Sequence, residues 1–252
     1  EIKSDVVVSG AGVHLTLHQL LSESNRKKFK FWNDAQQLAP SYGHLSLYIG
    51  LKQTAEELQL PKANYWIYPN GNNHDKAIET YLEDYTKDFP VVYISFPSAK
   101  NPVFLDKYPG RATIEIITVA KYDWFKKWEN TRWKKRGEEY DALKEAFAQR
   151  LLAHLYQQEP QLRGKIDFYE LSTPITTKHF CNYINGEIYG LDHPPARFAK
   201  DYLKPQTPIK NLFLTGQDIV TVGIGGALMS GVLTAAAITK SNLINEIVKQ
   251  SK

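Results

Sequence analysis

Asn211–Ile238, NLFLTGQDIVTVGIGGALMSGVLTAAAI, decides how this chain is read. Leu212–Thr215 predicts a short buried strand that stops at Gly216. Gln217 and Asp218 form a polar corner, and Gly223, Gly225 and Gly226 make a glycine-rich turn into a helix of small residues. Glycine lets a ligand approach the backbone closely, and the unpaired N–H groups of a first helical turn favour negative charge. Gly216, Gln217, Asp218, Val222, Gly223, Ile224, Gly225, Gly226 and Ala227 are therefore the candidate contacts for an anionic or electron-poor ring system. Ala227, Ser230, Gly231, Ala235, Ala236 and Ala237 let the helix lie close to a sheet or to that ligand.

Two plainer readings compete. Residues 219–238 are uncharged and long enough to suggest a membrane span. Four glycines, three hydroxyl residues and several alanines dilute the run, and Asp218 stands at its mouth. The expectation is a buried helix of a soluble α/β fold. A strand–Gly–helix unit serving packing alone stays open.

With 252 residues, the chain has room for one large domain or two small ones. Its 42% hydrophobic content supports a real core, and 23% charge without long polar stretches argues against disorder. A net charge of +4 is mild, so it points to neither nucleic acid nor an acidic partner. Cys181 is the single cysteine, which excludes an internal disulfide. The chain opens directly into a strand, with Met229 its one methionine and no leader pattern, and is expected to be a piece of a longer polypeptide.

Val6-Val7-Val8-Ser9-Gly10-Ala11-Gly12 imitates the strand and phosphate loop of a dinucleotide fold. The full fingerprint needs a third glycine, where Leu15 stands, and an acidic residue about twenty positions further on. Glu23 comes too early, and Arg26, Lys27 and Lys28 follow it. The segment is read as a decoy. His14 and His18 have the four-residue spacing of paired metal ligands but lack a third, so they are read as packing or surface histidines.

From Tyr42 the texture changes. Leu45, Leu47 and Ile49 alternate with Ser46 and Tyr48, the period-2 pattern of a strand. Tyr65–Tyr68, stopped by Pro69-Asn70-Gly71, then Val91–Phe96 and Ala112–Ala120, complete an expected antiparallel sheet. Tyr140–Gln157 reads as an amphipathic helix with Leu143, Phe147, Leu151, Leu152 and Leu155 on one side. Residues 121–136 interleave Tyr122, Trp124, Phe125, Trp128 and Trp133 with seven basic residues. Ring burial with solvated lysines takes precedence there over contact with anionic lipid, and both over stacking on nucleic acid. The domain reading is 1–40 and 205–252 as two parts of one domain, with 41–204 as a second.

Four motifs in order resemble the FAD-dependent oxidoreductases that include retinol saturase, carotenoid isomerase and phytoene desaturase. They are Val7-Val8-Ser9-Gly10-Ala11-Gly12 with Leu20-Leu21; Ser95-Phe96-Pro97-Ser98 with Pro109-Gly110; Ser172-Thr173-Pro174 leading to Asn185-Gly186-Glu187-Ile188-Tyr189-Gly190-Leu191-Asp192-His193; and the 211–238 segment. The first departs from the family by having Gly10 where Asn is usual.

The resemblance implies an α/β (α+β) fold, in which a partial FAD-binding Rossmann-like domain is interleaved with an antiparallel-sheet substrate domain. It implies FAD as cofactor and a hydrophobic polyene or isoprenoid as substrate. The reaction would be saturation, desaturation or isomerisation of double bonds. The N-terminal FAD-binding half would be missing, leaving this piece inactive alone, with the glycine turn under the isoalloxazine and Asp218 toward the ribityl or pyrophosphate. Peripheral membrane contact or a cytoplasmic setting, and no nucleic acid, complete the expectation. No catalytic residue is assigned; Tyr189, Glu187 and His179 are candidate acids or bases. No internal nucleophile set appears, which suits chemistry carried by a cofactor. A non-catalytic lipid- or partner-binding module and a nicotinamide-dependent dehydrogenase are the alternatives.

Overall fold

The computed structural model describes residues 2–31, 34, 35, 37–69, 71 and 73–250. In chain order its strands and longer helices are β1 (Val7–Ser9), β2 (Gly43–Leu51), β3 (Tyr65–Ile67), α1 (His74–Glu83), β4 (Val92–Ser95), β5 (Ala112–Ala120), α2 (Glu138–Gln158), β6 (Ile166–Ser172), α3 (Pro174–Cys181), β7 (Leu212–Leu214), α4 (Gly223–Thr239) and α5 (Leu243–Gln250). The turn expected at Pro69-Asn70-Gly71 includes Asn70, which lies outside the described residues, as does Glu1.

The chain divides into two compact units, 43–181 and the two ends 1–42 with 182–252. The expected second boundary at 204/205 thus falls at 181/182. The reason is local: Ile188 N–H donates to Tyr42 O, Ser41 N–H to Gly190 O and Asp192 N–H to Ala39 O, which ties 188–192 to the end of the N-terminal segment.

Unit 43–181 is built on a five-stranded antiparallel sheet in the order β3-β4-β5-β2-β6. Alternation sets its faces. Leu45, Leu47, Ile49 and Leu51 of β2 and Ala112, Ile114, Ile116 and Ala120 of β5 are buried together. Phe147, Leu151, Leu152 and Leu155 of α2 join the same core at the spacing read from the sequence. Glu138, Glu139 and Asp141 occupy the first turn of α2, where the helix dipole favours carboxylates. The aromatic-basic tract packs as expected: Tyr122, Phe125 and Trp128 are buried, Trp124 lies against the core, and Trp133 is exposed.

In the other unit β1 and β7 pair in parallel, Val7 opposite Leu212 and Ser9 opposite Leu214, so the two ends of the chain are neighbours as expected. After Gly12 the chain makes one α turn at Val13–Leu15 and a π turn at Thr16–Leu20. The core holds Val13, Leu17, Phe29, Ala35, Leu191, Leu212, Leu214 and Ile219.

Helix α4 corrects one expectation: it is not buried. Only the narrow stripe Gly226, Ser230, Thr234 is inaccessible, while Ile224 is 90% and Leu228 70% exposed. Hydroxyls dock the stripe to β7: Gly216 N–H donates to Ser230 Oγ (2.9 Å) and the Thr234 hydroxyl to Leu214 O (3.0 Å). Among the described residues no single helix is long and apolar enough to cross a membrane.

Candidate functional site

The nine residues singled out between Gly216 and Ala227 separate into two groups. Gly216 has a left-handed φ of +102°, and Gln217 offers its carbonyl to Arg197 Nη2 at 2.9 Å. Asp218 is 4% exposed, and both carboxylate oxygens are engaged: Oδ2 accepts from Val13 N–H (2.8 Å) and Oδ1 from Leu191 N–H (2.9 Å). Space around that carboxylate explains two glycines. A Cβ at Gly190 would stand 2.2 Å from Oδ1, and one at Gly12 would stand 3.2 Å from Oδ2; both residues have positive φ. Asp218 therefore clamps the Gly10–Gly12 turn to the Gly190–Leu191 corner.

This clamp also accounts for the dinucleotide-like turn. The Val13 N–H that a phosphate loop would turn toward its ligand is taken by the protein's own carboxylate. Arg197, missed in the sequence reading, completes the junction. Its buried guanidinium donates to the carbonyls of Leu191, Asp192 and Gln217. Burial holds its pKa below the ordinary arginine value, opposed by the charges of Asp218 and Asp192. An arginine four residues after a Pro-Pro-flanked histidine carries no periodic signal, so only the folded chain reveals it.

The second group faces outward. Val222 caps α4 without a side-chain hydrogen bond, and Gly223, Ile224, Gly225 and Ala227 are exposed. A Cβ on Gly223 or Gly225 would meet nothing within 4 Å, whereas one on Gly226 would lie 2.0 Å from Thr221 O. Gly226 is thus required by packing. Gly225 is not, and an uncapped helix start with bare backbone stands open beside it.

The acid–base candidates are placed differently from one another. Glu187 is 2% exposed, accepts from Asn185 N–H at 2.8 Å, and has its carboxyl pushed up by burial. Tyr189 is exposed, its N–H donating to Ser41 Oγ. His179 stacks on exposed Trp133 at 5.8 Å in unit 43–181. His14 uses Nε2 on Leu38 O, with its ring 5.6 Å from that of His18.

A further candidate lies on the non-core face of the five-stranded sheet, composed by alternation and register. Trp66 and Tyr93 pair across β3 and β4 with rings 4.7 Å apart, and Tyr93 stands opposite Ile117 of β5. Val119 is opposite His44, and Glu115 is flanked by Tyr48 on β2 and Ser95 on β4. Trp66 and Tyr48 are exposed, and Tyr93, Ile117 and Val119 half-buried. Burial raises the Glu115 carboxyl and the Tyr48 phenol and lowers the His44 imidazole. The result is a ring-rich, aliphatic surface with a carboxyl at its middle.

No family model matches the chain. It is 34% identical over 258 residues to the all-trans-retinol 13,14-reductase of Danio rerio and 36% identical over 249 residues to that of Rattus norvegicus. These matches cover 100% and 96% of the chain and 42% and 41% of the relatives. A second Danio rerio relative, named an inactive all-trans-retinol 13,14-reductase, is 34% identical over 260 residues. The chain spans about two-fifths of the length of these relatives.

Proposed function

The chain belongs to the retinol saturase-like family of the all-trans-retinol 13,14-reductases, and from that premise we propose that it is part of a flavoenzyme reducing a carbon–carbon double bond of a retinoid or similar polyene. The observation that carries this reading is a match running the whole length of the chain, through both units. FAD, when bound, supplies the electron pair.

The chain's own residues fit a share of that cofactor. The uncapped start of α4 offers N–H groups toward the electron-rich edge of an isoalloxazine, and open space over Gly223 and Gly225 allows close approach. The Gly10–Gly12 turn does not serve as an adenine and pyrophosphate fingerprint, since the Val13 N–H beside it is taken by Asp218. Asp218, with each carboxylate oxygen accepting one backbone N–H, holds the Gly10–Gly12 turn to the Gly190–Leu191 corner. The open sheet face of Trp66, Tyr93, Ile117 and Tyr48 suits a long apolar polyene, which buries area on rings without demanding hydrogen bonds.

Gly225→Val in the full polypeptide tests the cofactor seat. Because a Cβ there meets no protein atom within 4 Å, the variant should fold normally yet lose flavin and retinol reduction. Full flavin content with full turnover would remove the glycine turn from the reading. The alternative, a non-catalytic polyene-binding or partner module, is favoured by the equally similar inactive relative. Retinol bound stoichiometrically, with no reduction under any electron donor, would select it.

A further inference from the structure

We infer that Glu115 selects the substrate's terminal group, its carboxylate accepting a hydrogen bond from the hydroxyl of a polyene alcohol laid along the open face of the five-stranded sheet. The inference rests on the functional reading above, and every residue it uses lies in unit 43–181. Glu115 stands midway along β5, the central strand of the sheet, opposite Tyr48 of β2 on one side and Ser95 of β4 on the other. The acids of edge strand β6 are paired, Glu170 with Lys144 and Asp167 with Lys52. Glu115 is half-buried, and its carboxyl makes no hydrogen bond or ion pair with any described residue. The Lys100 ammonium beside it is held by Ser95 Oγ and Asn64.

From Glu115 the face becomes apolar in one direction. Ile117 follows on β5, Tyr93 stands opposite it on β4, and Trp66 stands opposite Tyr93 on β3, with the last two rings 4.7 Å apart. At about 4.8 Å between strands and about 3.4 Å per residue, Trp66 lies about 12 Å diagonally from Glu115. One end of this row is a hydrogen-bond acceptor and the other a pair of rings. An elongated apolar ligand with a single donor end therefore fits it in one orientation, rings on rings and donor on Glu115.

The chemistry of the acceptor decides which end groups it takes. A carboxylate accepts hydrogen bonds and cannot donate one. An alcohol gives it a donor, an aldehyde leaves it without a partner, and an acid meets it with like charge. Partial burial, which also raises the Glu115 carboxyl, makes an unanswered acceptor costly, so discrimination comes from the ligands that fail to satisfy it. The hydroxyl is remote from the polyene's double bonds in this arrangement, and Glu115 acts on affinity and not on the reacting carbons.

The test compares wild type, Glu115→Leu and Glu115→Gln in the full polypeptide at about pH 8, well above the ordinary carboxylate range. All-trans-retinol, all-trans-retinal and all-trans-retinoic acid are the probes, with affinity read by fluorescence and retinol reduction by chromatography. Wild type should bind retinol tightest of the three. Glu115→Leu should lose about 10–100-fold in retinol affinity while retinal affinity and melting temperature hold. Its KM for retinol should rise with kcat kept, as for a contact made equally in ground and transition states. Glu115→Gln, whose amide both donates and accepts, should narrow the gap between retinol and retinal. Wild type that binds retinol and retinal equally, or Glu115→Leu that weakens all three probes alike, overturns the inference alone. A wild type that neither binds nor reduces retinol overturns the functional reading and this inference with it.

Discussion

The two units differ in how completely each encloses its own apolar residues. Among the described residues, unit 43–181 gathers twenty-eight buried apolar side chains in one core, whereas the unit made from the chain's ends gathers eight. A five-stranded sheet with the 21-residue helix α2 can close a core. A two-stranded parallel sheet cannot, and β1 leaves Val7 and Val8 about half exposed. The seventeen residues of α4 and the eight of α5 add further open apolar surface, including Ile224, Leu228, Ile247 and Val248. The difference teaches that apolar composition does not by itself bury a residue; a second layer must be there to receive it.

The sharpest way to break this contrast is a pair of truncations. Leu151→Ala, at a fully buried site of the larger core, should lower unfolding free energy by about 2–5 kcal/mol. Leu228→Ala, on the exposed side of α4, should shift it by no more than about 0.5 kcal/mol in the chain alone. Equal losses in denaturant titration would mean that the α4 surface is covered after all.

Next in size is the Asp218 clamp. Asp218→Ala leaves two buried N–H groups without an acceptor, each costing about 1–3 kcal/mol. Hydrogen exchange should accelerate at Val13 and Leu191 and stay unchanged in β2 and β5. Uniform acceleration in both units would show that the clamp is not local.

Neighbouring glycines give a finer test. Gly226→Ala drives a Cβ to 2.0 Å from Thr221 O and should destabilise the start of α4, by about 1–3 kcal/mol as overpacking. Gly225→Ala meets nothing and should be neutral, or stabilising by up to about 1 kcal/mol from helix propensity. Thermal melts that rank the two in the opposite order would refute the placement of the stripe.

The smallest expected effect is that of Glu115→Gln on stability. The folded carboxyl is raised above its unfolded value, so the native state binds the proton more tightly. Its contribution is full below the ordinary carboxylate pKa and is lost as pH rises through the raised one. Glu115→Gln should therefore match or exceed wild-type stability at neutral pH and give up that advantage in acid. A variant less stable at neutral pH than in acid, relative to wild type, would contradict the burial assigned to Glu115.

Much of this was legible in the sequence because it follows from local periodicity. Alternation over Leu45–Ile49 and Ala112–Ala120 predicted the two central strands, and Phe147, Leu151 and Leu155 marked the buried side of α2. The strand and glycine turn before α4 were visible from Leu212 to Gly226, as was the pairing of the two chain ends through the order of the motifs. Where the reading failed, the missing information was non-local. An uncharged run of small residues looks the same whether a second layer covers it or not, so the exposure of α4 carried no mark in its composition.

The sequence by itself determined which residues form strands and helices, where glycine must turn the chain, and which family the motifs follow, since each depends on spacings of two to four residues or on short ordered motifs. Only the tertiary structure decided that Asp218 accepts from a backbone 205 positions away, that Gly226 is fixed by packing while Gly225 is free, and that Glu115 stands between Tyr48 and Ser95 on an open face. Hydrogen-bond partners and burial depend on the path of the whole chain through space. No local pattern encodes that path.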